Sequence, residues 1–508
     1  MILDKLFAQT PQHPLADPKE LKRILAELPV DNAYKTIDEI AGWFESLEQV
    51  DGFRTDRLAD VVNQLDLVAQ PAIRKLTREF LTSPRLSRSD ERRIWTTAFQ
   101  FWQRLALLNG RVVQAALAGD KGSDALKPLL PLCLTRQISA LVASFKWLNF
   151  QHRAAGKEFW RHIGKLYLVA VDNKIATRPV TMFPGTATTT TSTPEQEYLK
   201  ALLLSASSLD SLHPMEIELA AKLIAHFLPR FAMAGGEIPG MLYWVDAAQG
   251  AGPQRLATSP SASPSLRLIA PGTAPDELAA MLRLVERGNI PDELNLGGQY
   301  PARTLVKVLR HLALYWAPQP PMRQHKRHPV KSMLSVLHGF DACADILDPA
   351  VISPPEVTER WSVDNVSLGG FGASVEPVRD DWLRIGTLVC LRPDGGDNWL
   401  LGAVRRYGRQ GDTMASIGVQ TLARKATALD FRPRTTGSYT SPLSLRGILL
   451  HEEMPGDEVR VVLPATAFDL RESLDGVLEG RRVLLMPVVC EESCSDFDLG
   501  RYRLRYAE

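Results

Sequence analysis

Between residues 323 and 370 the chain carries two clusters of side chains suited to gripping an anion that also bears hydrogen-bonding groups. RQHKR sets Arg323 and Arg327 four residues apart, and VDNVSLGGFGA sets Asn365, Ser367 and Gly370 at an N-x-S-x-x-G spacing. A guanidinium is a planar fork of donors that clamps a phosphate bidentately or stacks on an aromatic base. Asn365 offers a carbonyl acceptor and an amide donor, and Ser367 adds a small hydroxyl. Gly370 lacks a Cβ, so its backbone can take a positive φ and nearby N–H groups can approach a ligand. Each cluster alone is a weak signal. R-x-x-x-R is common, a basic run is usually a solvated patch, and N-x-S-x-x-G is a turn pattern.

Other chemistry is fainter still. LGGFG (368–372) has no following Lys-Ser/Thr, so it does not read as a P-loop. His311, His325, His328 and His338 do not fall on one helical face, and Asp341, Asp345 and Asp348 read as solvated loop carboxylates. Cys490 and Cys494 form a lone C-x-x-x-C pair, short of the four ligands a zinc site usually needs. HExxH and G-x-S-x-G are absent. No catalytic residue, metal or cofactor is expected, and no enzyme. Arg405, Arg406 and Arg409 read equally well as added charge for an anion site or as an exposed strand end.

The elements that must position these residues follow from composition and periodicity. At 508 residues, 45% hydrophobic and 23% charged, the chain has the make-up of an ordinary globular protein with about three domains. A net charge of +1 gives no global field for nucleic acid or an anionic membrane, so any anion site is local. No apolar run of ~18 residues suggests a membrane span. The N-terminus lacks a signal-peptide layout, and five cysteines argue for reduced thiols and a cytoplasmic setting.

Residues 1–183 read as a helical domain. Ser89-Asp90-Glu91 opens a helix with Ile94, Ala98, Phe101, Leu105 and Leu108 on its stripe, and Ile138, Leu141, Val142, Phe145 and Leu148 mark another. Trp95, Trp102, Trp147 and Trp160 read first as packing and second as an aromatic pocket. Residues 184–197 are low-complexity and read as a linker, with Thr193 and Pro194 starting the next helix. A second helical block spans 198–317 and holds a short β insertion at about 241–271. PQPPM (318–322) then acts as a proline-rich joint. From residue 318 to 430 the pattern alternates with period two between Gly/Asp/Asn turns, as antiparallel β, with 424–430 as a closing helix. Residues 431–508 read as an appended small β-module. No repeat period stands out. The fold class is multidomain α+β, an N-terminal all-α helical bundle or stacked helical hairpins followed by a C-terminal antiparallel β-barrel.

An arginine pair ahead of a first strand (MLSVLHGF, 333–340), then Asn-x-Ser-x-x-Gly between later strands, resembles the PilZ family of bacterial cyclic di-GMP receptors. The resemblance covers about residues 321–425. It implies a barrel that binds cyclic di-GMP through Arg323, Arg327, Asn365, Ser367 and Gly370, the arginines folding over the ligand as an arm. Bidentate arginine to guanine is worth about 1–3 kcal/mol per good pair in duplex recognition. One departure is the 37 residues between Arg327 and Asn365, where DACADILDPAVISPPEVTE looks inserted between the first two strands. The resemblance implies a cytoplasmic effector in second-messenger signalling, of the class that regulates motility, exopolysaccharide and virulence. Nucleotide binding at the barrel would be coupled to a regulatory protein partner held by the helical region, with a homo-oligomer compatible. The competing expectation is a helical scaffold or adaptor whose barrel serves protein contact without nucleotide.

Overall fold

The computed structural model describes residues 11–83, 86–183, 190–257, 260–294, 300–319, 326–351, 359–376, 382–410, 414–434, 444–452 and 454–506. The chain divides into two compact units, one of residues 1–209 and 213–321, the other of residues 210–212 and 322–508.

The first unit is built on ten α-helices among the described residues: α1 (Pro18–Glu27), α2 (Ala33–Glu48), α3 (Thr55–Thr82), α4 (Arg88–Ala118), α5 (Leu130–Phe150), α6 (Lys157–Asp172), α7 (Pro194–Ala206), α8 (Pro214–Phe227), α9 (Ala274–Glu286) and α10 (Ala302–Trp316). The stripe of α4 is fully buried, Ile94, Ala98, Phe101, Leu105 and Leu108 all lying in the core. Its cap is Ser87, not Ser89: the Ser87 hydroxyl accepts from the Asp90 N–H at 3.1 Å, which leaves Asp90 and Glu91 in the first turn to complement the helix dipole. On α5, Ile138, Val142 and Phe145 are buried while Leu141 and Leu148 are half-buried. The stretch Ser123–Phe150 is long and apolar enough to cross a membrane by composition, with 61% of its most apolar window buried inside the protein. It is the axial helix of the bundle, packed by its neighbours on several sides, which is why it is apolar nearly all round.

Thr191–Ser192 (β2) pairs with Val180–Thr181 (β1), so part of the polar stretch before α7 is paired backbone; residues 184–189 lie outside the described residues. Thr193 caps α7 by accepting from the Gln196 N–H at 3.0 Å, with Pro194 at the first helical position. The β insertion is larger than the sequence suggests. It is a four-stranded antiparallel sheet in the order β3 (Ala232–Ala234), β6 (Leu266–Ala270), β4 (Tyr243–Asp246), β5 (Gln254–Arg255). Arg255 of β5 donates to the carbonyls of Tyr315 at 2.9 Å and Pro318 at 3.0 Å, satisfying acceptors that the end of α10 would otherwise leave open.

The second unit holds two closed six-stranded barrels. The first has the order β10-β11-β12-β9-β8-β7, from β7 (His328–His338), β8 (Glu359–Ser367), β9 (Gly370–Val375), β10 (Leu388–Pro393), β11 (Leu400–Gln410) and β12 (Met414–Ala423). Between β7 and β8 sits α11 (Phe340–Ile346). The second has the order β13-β14-β15-β18-β17-β16, from β13 (Ala426–Arg434), β14 (Leu445–Leu450), β15 (Glu458–Pro464), β16 (Ser473–Leu478), β17 (Arg481–Ser493) and β18 (Phe497–Tyr506). Residues 424–430 do not form a helix, because β13 begins at Ala426 and pairs on one edge with β14 and on the other with β16. Residues 431–508 are not a small appended module but most of a complete barrel, closed by β16 between β13 and β17.

Alternation gives the first barrel its core: Trp361 and Val363 of β8, Phe371 and Ala373 of β9, Ile417 and Val419 of β12 point inward. The barrels do not have wholly separate interiors. Leu388, Cys390 and Leu401 of the first meet Ile448, Leu450 and Phe497 of the second in one apolar cluster, joined by Phe340 and Cys343 of α11. Arg446 of β14 pairs with Asp345 and Asp348, so the inserted segment is anchored to the second barrel, and these carboxylates are not merely solvated. Of that segment, residues 352–358 lie outside the described residues.

Candidate functional site

Strand register brings the two motif halves together. His328 pairs with Val366, and carrying that register one residue further sets Arg327 opposite Ser367. Ser367 in turn pairs with Gly370 across the turn joining β8 to β9, and its hydroxyl donates to the Gly370 carbonyl at 3.0 Å. Arg327, Ser367 and Gly370 line one cavity of about 190 Å³, together with Arg405, Arg406 and Gln420. Arg323 lies outside the described residues.

Two β-bulges aim this surface. In β8 the pairing jumps from Val363↔Ala373 to Asn365↔Gly372, leaving Asp364 as the extra residue. Strict alternation would send Asn365 to the core face shared by Trp361 and Val363; the bulge reverses that and turns Asn365 outward. In β11 the pairing jumps from Val404↔Val419 to Arg406↔Gly418, with Arg405 unpaired. Adjacent residues in a regular strand face opposite sides, yet this bulge leaves both arginines outside while Val404 and Tyr407 stay in the core.

Asn365 does not line the cavity. Its amide lies over Gly372, with Nδ2 2.8 Å from where a Cβ would sit, and its Oδ1 is buried without a hydrogen-bond partner among the described residues. Gly372 pairs with Gly418 of β12, so two glycines side by side form a floor without side chains, flanked by Asn365 and by Arg406. Gly370 is required by its own sheet. At φ +151° a Cβ would come within 2.0 Å of the Val419 carbonyl oxygen. That requirement is independent of any ligand.

The three guanidiniums are not equivalent. Arg405 is held bidentately by Glu492 of the second barrel, its Nη2 at 2.5 Å from Oε2, and its Nε donates to Gln420 Oε1 at 2.8 Å. Arg406 is exposed and makes no ion pair among the described residues. Arg327 is exposed at the cavity edge. Arg409 turns instead to the Tyr407 hydroxyl, donating at 3.1 Å, and stands outside the cavity. Such a patch can neutralise phosphate oxygens and present a guanidinium face to a base.

The helical unit is where comparison with known proteins speaks. Residues 19–236 match the family described as the cyclic-di-GMP receptor FimW, N-terminal domain. A comparison with curated proteins found no match. The match runs from α1 to β3 and stops short of both barrels, so it covers less than half of the chain. It supports a cyclic di-GMP receptor family from a region that contributes nothing to the arginine and glycine motif. The helical stripes alone carried no signal for it, because amphipathic periodicity specifies burial and not ligand chemistry.

Proposed function

We propose that the protein is a cyclic di-GMP effector that binds the dinucleotide on the outer face of its first barrel, a PilZ domain, and engages a protein partner through its helical unit. What carries the reading is the convergence of Arg327, Ser367 and Gly370, residues from two separated motif halves, on one cavity that also holds Arg405 and Arg406. Two independent stretches of chain, the 19–236 match and the motif, favour the same ligand. Arg406 and Arg327 meet phosphate oxygens, the Gly372–Gly418 floor lets a planar base approach the sheet, and Asn365 Oδ1 accepts from a base edge once its amide swings off Gly372. Arg323 supplies a further guanidinium from the segment before β7. The effector acts by binding and carries out no turnover, and no cofactor takes part.

The test is calorimetric titration of the full chain with cyclic di-GMP. Arg327→Ala and Arg406→Ala are each expected to weaken binding tenfold or more with an unchanged melting temperature. Absence of heat in the folded wild type would leave only a scaffold with a barrel used for protein contact, and binding indifferent to both substitutions would place the dinucleotide away from this cavity.

A further inference from the structure

The second barrel carries charge on its outer face that its own carboxylates do not use. Phe431, Leu474, Leu485 and Tyr502 point into its core, so their strand neighbours Arg432, Asp475, Leu484 and Arg503 point outward. Register sets the outward residues in rows. Arg432 stands opposite Asp475, Asp475 opposite Leu484 and Leu484 opposite Arg505, with Met486 opposite Arg503 in the next row. Directly opposed side chains have Cβ atoms about 4.5–5.5 Å apart, so one continuous face spans β13, β16, β17 and β18. The carboxylates in these rows are taken. Asp475 Oδ2 lies 2.5 Å from Arg434 Nε, and Glu458 Oε2 of the adjoining β15 lies 3.2 Å from Arg501 Nη1. Arg432, Arg482, Arg503 and Arg505 are exposed and make no ion pair among the described residues. Asp457 and Glu479 stand in turns beyond the strand ends. Half-buried Leu484 and Met486 lie between the arginines, and Val477 and Tyr506, each 54% exposed, lie where β17 begins and β18 ends.

We propose that this face is an interaction surface for an anionic phospholipid bilayer, a property separate from nucleotide binding at the first barrel. The four exposed guanidiniums form a local field for phosphate although the whole chain carries only +1. Shape and composition choose the bilayer among acidic partners. A protein adding a strand needs a free sheet edge, and one docking a helix needs a groove. Here Asp475 and Leu484 are paired on both sides, and the outside of a closed barrel is convex. A polynucleotide meets cations with phosphate and aromatic platforms with bases, and it offers Leu484, Met486 and Val477 nothing apolar. The boundary between headgroups and acyl chains takes both kinds of side chain. Each guanidinium clamps a phosphate bidentately while its stem and the apolar neighbours face the acyl side, and a tyrosine at the rim suits the interface.

The experiment is flotation of the full chain with vesicles of phosphatidylcholine alone and with vesicles in which about one lipid in three is the anionic phosphatidylglycerol. It is run at salt concentrations that set the Debye length near about 30 Å and about 8 Å. The chain is expected to float with the mixed vesicles, more weakly at the higher salt, and not with phosphatidylcholine. Each arginine near such a surface contributes about 1 kcal/mol, or about fivefold. Arg503→Gln combined with Arg505→Gln is therefore expected to weaken binding about twenty-fivefold, whereas lysine at both positions retains it. Arg482→Gln, in a different row, is expected to weaken binding about fivefold and gives the reading should the double variant lose stability. The proposal falls if the wild type does not float with the mixed vesicles at low salt, if neutral vesicles carry it equally, or if the glutamine variants float as the wild type does. It also falls if a DNA duplex at matched phosphate concentration strips the protein from the vesicles, which would make the face a nucleic-acid surface.

Discussion

Arg405 of the cavity is constrained by Glu492. Both carboxylate oxygens of Glu492 meet the guanidinium, with side-chain exposures of 26% for Arg405 and 31% for Glu492. An incoming phosphate must displace that carboxylate or accept its repulsion. Unit charges about 4 Å apart interact by about 4 kcal/mol at an effective dielectric of 20, but solvent reduces partly exposed pairs to roughly 0.2–1 kcal/mol as measured. The bidentate geometry places this pair near the upper end, so Glu492→Gln removes a competitor worth about 1 kcal/mol. Cyclic di-GMP is then expected to bind about fivefold tighter. Calorimetry at low and at physiological salt reads the change, which shrinks as the Debye length falls to about 8 Å at 0.15 M. Arg405→Ala in the Glu492→Gln background should erase the gain, because the benefit comes from releasing that guanidinium. Unchanged or weaker binding by folded Glu492→Gln protein would refute the competition and assign Arg405 a purely structural bridging role between the barrels.

Asp66 gives the helical unit a pH signature. Burial pushes its carboxyl up to about 6 from an ordinary 3.8, with Arg136 and the Gln70 amide opposing. The folded state therefore holds a proton that the unfolded state releases between those values. Stability falls as pH rises from about 4 to 6 and is flat above, by about 3 kcal/mol at most for about two pH units. Melting curves from pH 4 to 7 should show this slope, and Asp66→Asn should flatten it. Gly370→Ala forces a Cβ against the Val419 carbonyl at a φ that side chains avoid, costing about 1–3 kcal/mol; differential scanning calorimetry should show a lower transition for the barrel unit and an unshifted one for the helical unit. Arg446→Ala frees Asp345 and Asp348, costing about 1 kcal/mol, and hydrogen exchange should quicken in α11 and little in β10.

The candidate site was half legible because its chemistry is written in residue types and its geometry in irregularities. Arg327, Ser367 and Gly370 stand out by spacing alone. Arg405 and Arg406 do not, since period-two reasoning assigns neighbours to opposite faces and only the bulge puts both on one side. Asn365 follows the opposite course: its type announces a base contact, while the bulge at Asp364 lays its amide over Gly372. Residues 426–434 (ATALDFRPR) show how pairing overrides local preference. An Ala/Leu-rich segment suits a helix, yet two strand edges separated by tens of residues claim its backbone. The α+β division was readable because helical and strand periods differ and change abruptly after the prolines. The closure of the second barrel was not, because Ser473–Leu478 (SLDGVL) is short, mixed in polarity and defined by its long-range partners.

The apolar seam that joins the barrels has a consequence for inheritance. Cut after residue 425, the first barrel would present Leu388, Cys390 and Leu401 to water, and the remainder would lose the opposing wall that keeps Ile448, Leu450 and Phe497 dry. Neither piece is a portable cassette. A rearrangement carrying either barrel alone would have to replace that wall with polar side chains to keep the piece stable in water.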